Sequence, residues 1–144
     1  MRQMADNERQ MARQGVKHPH GSMREEIESV RKGYPVDRLD QMAHILAVDR
    51  SVFLAVMGIS ERTFHRKAQV SGRLSAATSD RLARLDRIIH LATDVLGTKD
   101  KAVEWLKRPS RALGAEMPFQ LLDTDAGTQR VEHELRQIQF GFVY

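Results

Sequence analysis

Cysteine is absent from the chain. Its absence excludes a disulfide framework, a thiol nucleophile and any thiolate metal site, and it fits a reducing compartment. No apolar run approaches the roughly 18 residues that a membrane-spanning helix needs. The opening stretch MRQMADNERQMARQG has no apolar segment of the secretory kind, which points to the cytoplasm and away from the membrane. Enzyme signatures are also missing: there is no glycine-rich phosphate loop, no HExxH and no serine elbow. The six histidines do not pair at helical spacing. His18 and His20 stand without a third ligand, so no metal site is expected. Asp37 with Asp40, and Asp123 with Asp125, lack the burial that would split their acidities for acid–base work. No catalytic residue and no cofactor are therefore assigned.

The chain of 144 residues is 41% apolar and 29% charged. That suits one ordinary globular domain or two very small ones. The net charge of +4 is unevenly placed. Residues 61–90 carry seven basic and three acidic side chains, whereas the segments on either side are nearly balanced. A localised basic excess attracts polyanions, and phosphate contacts supply most sequence-independent affinity for DNA. An ordinary solvated face is the plainer reading of the same count.

Residues 1–22 read as a flexible tail, with breakers at Pro19 and Gly21. From Met23 the period is helical. Ser22 caps a helix to Lys32, and Val36, Leu39, Met42, Ala43 and Leu46 mark a second. Further helices run from Val52 to Met57, from Glu61 to about Gln69 and from about Ser75 to Leu96. The last of these carries a stripe of Leu82, Leu85, Ile88, Ile89, Ala92, Val95 and Leu96. A helix over Asp100–Lys107 is anchored by Trp105 and Leu106, a single turn falls at Phe119–Leu122, and a final helix carries Val131, Leu135 and Ile138. No strand pattern appears, so the fold is predicted to be all-α: a helix-turn-helix bundle over 23–73 packed with a small helical C-terminal domain over 74–144.

The stretch Phe53 to Lys67 has the form of a helix-turn-helix. Gly58 supplies a turn of positive φ, Ile59 packs beside it, Ser60 caps the second helix and Phe64 points inward. Arg62, Thr63, His65, Arg66 and Lys67 then lie on or near the outer side, and Arg73 follows in the adjoining loop. These six residues are the candidate DNA contacts, since such a helix suits the major groove. A packing module that never meets DNA is the alternative. Leu54 stands four residues before the glycine, where alanine is usual, which predicts an altered helix approach or register.

The C-terminal half reads Trp105-Leu106-Lys107-Arg108-Pro109-Ser110-Arg111-Ala112-Leu113-Gly114, then Pro118-Phe119-Gln120-Leu121-Leu122-Asp123-Thr124-Asp125-Ala126-Gly127, with Val131 and Ile138-Gln139-Phe140-Gly141 beyond. It resembles the toxin-binding domain of antitoxins of the Xre/MbcA/ParS type. The helix-turn-helix and the segment from Gly72 to Leu82 are similar to the same family, so the likeness runs from about Val36 onward. Departures are Leu54, Ala115 where a second glycine is common, and the tip Phe142-Val143-Tyr144. The resemblance implies the antitoxin of a two-gene module whose partner is a RES-domain toxin that breaks down NAD. It further implies that the C-terminal domain blocks the toxin's active site and that the helix-turn-helix represses the operon. The residues fit: Phe140, Gly141, Phe142, Val143 and Tyr144 make an aromatic end of the kind found at interfaces. Arg108 and Arg111 sit in a loop framed by Pro109 and Gly114, and Arg111 has an internal bond near Asp123 as its alternative. A homodimer is expected from the symmetry of operators. The alternative is a stand-alone regulator whose C-terminal half dimerises it.

Overall fold

The computed structural model describes residues 22–141. The expected tail up to Gly21, and the tip residues Phe142, Val143 and Tyr144, lie outside them. The regular structure of the described residues is helical, apart from two isolated bridges. The helices are α1 (Met23–Lys32), α2 (Asp37–Leu46), α3 (Arg50–Met57), α4 (Glu61–Gln69), α5 (Ala76–Leu96), α6 (Lys99–Lys107) and α7 (Asp125–Gln139). Two 3-10 turns, Arg111–Leu113 and Pro118–Asp123, link α6 to α7. The fold is all-α.

Local chemistry sets most boundaries. Ser22 and Glu25 form a reciprocal capping box at the start of α1. Ser60, Ser75, Thr98 and Thr124 each accept the third backbone N–H of the helix they open. Asp49 precedes α3 without such a bond and instead accepts from the Ser51 hydroxyl at 3.1 Å.

The central element is α5, whose 21 residues extend about 30 Å. Its buried stripe of Leu82, Leu85, Ile88, Ile89 and Ala92 follows the helical period, while Val95 and Leu96 are only half-buried. The helices α1, α6 and α7 and the second 3-10 turn pack against it. Two expected core anchors sit further out. Trp105 is half-buried, an indole too large to be enclosed by a nine-residue helix. Burial along α7 ends at Leu135, and Ile138 on the next turn is 36% exposed.

The segment between α4 and α5 is tied to the α1–α2 junction. Val36 N–H donates to Gly72 O at 3.2 Å and Leu74 N–H to Tyr34 O at 2.9 Å. The two halves of the described chain also share one core. Phe53 of α3 and Phe119 of the second 3-10 turn are fully buried and stack with centroids 5.9 Å apart and planes 7° from parallel. The sequence contains no signal for this pairing, which joins residues far apart along the chain.

Candidate functional site

The first surface is built by α3, the turn and α4. Gly58 has φ +71°, in the left-handed region, and a Cβ there would lie 2.1 Å from Nη1 of Arg81. That guanidinium reaches from α5 beneath the turn and donates to Val56 O at 3.4 Å. The backbone conformation therefore favours glycine there, and any side chain would also have to displace the tip of the arginine. Ser60 Oγ accepts from Thr63 N–H at 3.1 Å and donates to Thr63 Oγ1 at 2.9 Å.

Phe64 is the one fully inward side chain of α4, at 3% exposure. The Arg50 guanidinium stacks over its ring at 4.9 Å and pairs with Asp40 at 2.8 Å. Arg50 thus braces α4 against α2. Leu54 is buried with Phe53, Val56 and Met57, and Ala55 faces solvent. The side of α3 that holds Leu54 belongs to the shared core, where a leucine has space.

The six candidate DNA residues divide into two groups. Arg62, His65 and Arg66 are exposed on α4, with Arg62 and Arg66 one turn apart on the same face. Thr63, Lys67 and Arg73 are engaged internally. Thr63 accepts the Ser60 hydroxyl, Lys67 Nζ donates to Arg73 O at 2.8 Å, and Arg73 Nη1 donates to Gly33 O at 2.8 Å. Arg73 thereby ties the end of α1 to the loop after α4.

The same holds for the basic segment as a whole. Arg81 lies under the turn, and Arg84 is bound to Asp80 at 2.9 Å and faces Asp125 at 3.8 Å. Arg62, Arg66 and Arg87 remain exposed. The charge count from sequence overstates the free patch, because four of its seven cations are braces.

The second surface lies at the other end of the molecule's sequence. After α6, Arg108 pairs with Glu104. The chain then closes on itself: Ser110 N–H donates to Glu116 O at 3.0 Å and Ala115 N–H to Ser110 O at 2.8 Å. Gly114 (φ +72°) and Ala115 (φ +64°) are both left-handed. The loop's underside is anchored by Leu113, 5% exposed. Arg111 projects from it exposed, with no side-chain hydrogen bond or ion pair among the described residues. The alternative of an internal bond near Asp123 is not what the structure contains.

Gly127 sets the angle at which α7 leaves. A Cβ there would stand 1.9 Å from Leu121 O, a backbone atom that cannot step aside. Val131 and Leu135 then bury one face of α7, and the helix delivers Phe140, 70% exposed, and Gly141, φ +72°, at its end. The Phe142, Val143 and Tyr144 candidates lie outside the described residues.

Tyr34 has a displaced acidity. Burial pushes its phenol upward, against the opposing pull of the Arg38 guanidinium 4.0 Å above the ring. No group of three or more metal-ligating side chains occurs among the described residues. No helix among them is long and apolar enough to cross a membrane. Sequence reasoning missed Arg50, Arg81 and Arg130 as braces. Nothing local marks them, since each acts on an element distant in sequence.

Comparison with known proteins finds matches in both halves of the chain. Residues 91–141 match the antitoxin Xre/MbcA/ParS C-terminal toxin-binding domain. Residues 25–87 match the antitoxin Xre-like helix-turn-helix domain. An antitoxin Xre from Photorhabdus laumondii is 34% identical, over 79% of this chain and 78% of that protein. One from Yersinia enterocolitica is 29% identical, over 80% of this chain and 78% of its own. A Prs ADP-ribosylating antitoxin from Sphingobium is 28% identical, over 78% of this chain and 76% of that protein.

Proposed function

This chain belongs to the Xre/MbcA/ParS family of antitoxins, and from that premise we propose that it blocks the active site of a RES-type, NAD-degrading toxin and represses its own operon. The family is one of antitoxins with helix-turn-helix domains, not of enzymes. In this reading the protein works in the cytoplasm as a homodimer, with residues 23–73 serving DNA and residues 74–144 serving the toxin.

The observation that carries the blocking role is the end of α7. A helix held by Val131 and Leu135 presents an exposed Phe140, then Gly141, and the sequence continues Phe142-Val143-Tyr144. Apolar aromatic anchors on a rigid support suit a concave mouth, where they are worth most once desolvated. Arg108 and Arg111, in the loop that follows α6, serve as polar contacts. On the other surface, Arg62, His65 and Arg66 meet the operator. Thr63, Lys67 and Arg73 serve it through the frame they hold.

The test is co-expression with the product of the adjacent gene. Growth arrest by that product should be relieved by the full chain and not by a chain lacking Gly141–Tyr144, both being folded by circular dichroism. Equal protection by the truncated chain would refute the plug. The Sphingobium relative's name favours a second reading, in which the toxin transfers ADP-ribose to a protein. Both reactions release nicotinamide; free ADP-ribose in the medium, as against ADP-ribose fixed to a protein band, separates the two.

A further inference from the structure

The arginines of the C-terminal half are in unequal situations. Arg108 is paired with Glu104 and Arg136 with the Gln139 amide. Arg130, from the second turn of α7, donates its Nη2 to Ala112 O at 3.1 Å, across 18 residues of sequence. Among the described arginines after α6, Arg111 is the one guanidinium left without a partner, and it neighbours the very residue that Arg130 holds.

The loop that bears Arg111 is unusually fixed for an exposed segment. The Ser110–Glu116 bridge closes its neck, Leu113 anchors it below and Arg130 pins it from α7. Ala115 holds a left-handed conformation, which opposes an ordinary L-residue by about 1 kcal/mol. Such strain persists only where the surroundings over-determine it. A guanidinium carried on a backbone fixed in advance leaves less of the loop to be ordered on binding, and its planar fork matches a carboxylate.

We propose that the loop from Arg108 to Glu116 is a pre-formed docking loop for a carboxylate on the toxin surface, with Arg111 as the contact and Arg130 as the residue that positions it through Ala112. This rests on the antitoxin reading above and adds to it the chemistry of the partner surface and a positioning residue. Of these two, Arg111 touches the partner and Arg130 acts on the turn. The proposal therefore separates the two arginines by their response to substitution.

Binding of the full chain to the product of the adjacent gene is measured by surface plasmon resonance at two salt concentrations, with operator affinity and thermal midpoint as controls. Arg111→Ala should weaken binding about tenfold, chiefly in association rate, and flatten the salt dependence. Arg130→Met should weaken it about fivefold, the loss of one hydrogen bond's worth of preorganisation, and Arg130→Lys should restore it. Ala115→Gly should bind more weakly although its fold is as stable or more so, because it relaxes the strain and frees the loop. Operator affinity should stay unchanged in all four.

An Arg111→Ala chain that binds normally would remove the loop from the interface, whatever becomes of the plug. A normal Arg130→Met chain beside a weakened Arg111→Ala chain would overturn the positioning role alone. If Arg130→Lys is as weak as Arg130→Met, the Arg130 fork itself meets the toxin. Unchanged affinity in Ala115→Gly would refute preorganisation.

Discussion

Phe119→Ala tests whether the helix-turn-helix part and the C-terminal part are one cooperative structure. Phe119 is fully buried and stacked on Phe53 at 5.9 Å. Truncating a buried phenylalanine typically removes about 3–5 kcal/mol, combining lost transfer energy with the cavity left behind. Against a total stability of roughly 5–15 kcal/mol, that leaves a marginal protein. The thermal midpoint should fall by roughly 10–15 °C at this size. The position of Phe119 at the seam makes the mode of unfolding as informative as its extent. Trp105 is the single tryptophan and lies in α6, so its fluorescence reports the C-terminal half, while far-ultraviolet circular dichroism reports all helices. In urea the two signals should still coincide, at a lower midpoint. Phe53→Ala should behave alike, and the double variant should recover about 1 kcal/mol of coupling relative to the sum. A loss below about 1 kcal/mol would refute the packing argument. So would a Trp105 transition at lower urea than the helical one, with operator binding outlasting it, since the halves would then hold separate cores.

Three further outcomes follow from the same geometry. Gly127→Ala drives a Cβ against Leu121 O, so it should destabilise by at least about 3 kcal/mol, read from urea midpoints, with toxin binding lost at growth temperature. Gly58→Ala should cost about 2 kcal/mol from a strained φ and a collision with Arg81; Arg81→Ala in the same chain should return part of that, and no recovery would mean that the backbone alone objects. Arg62→Glu with Arg66→Glu should abolish operator binding in gel-shift titrations while toxin protection persists, and a joint loss would indicate fold damage.

The helical elements were legible because their causes are local. Capping residues at Ser22, Ser60, Ser75 and Thr124, and apolar side chains one turn apart on α2 and α5, act within a few residues of where they stand. The same is true of the turn at Gly58 and of the family pattern in the C-terminal half. Burial at the margins was less legible: Trp105 and Ile138 satisfy the period, but period carries no information on where a neighbouring element ends.

What the chain alone determined is which segments are helical, where each begins, and that an antitoxin-like motif fills its second half. Tertiary structure decided which charges are available. Arg62 and Arg66 remain outside, whereas Lys67, Arg73, Arg81 and Arg84 are drawn into braces. It also decided that Phe53 meets Phe119 and that Arg130 holds the loop beside Arg111. The physical reason is the same in each case: a cap or a helical stripe acts over one or two turns of chain, while an ion pair, a ring stack or a side-chain clamp depends on a neighbour that only the completed packing brings near.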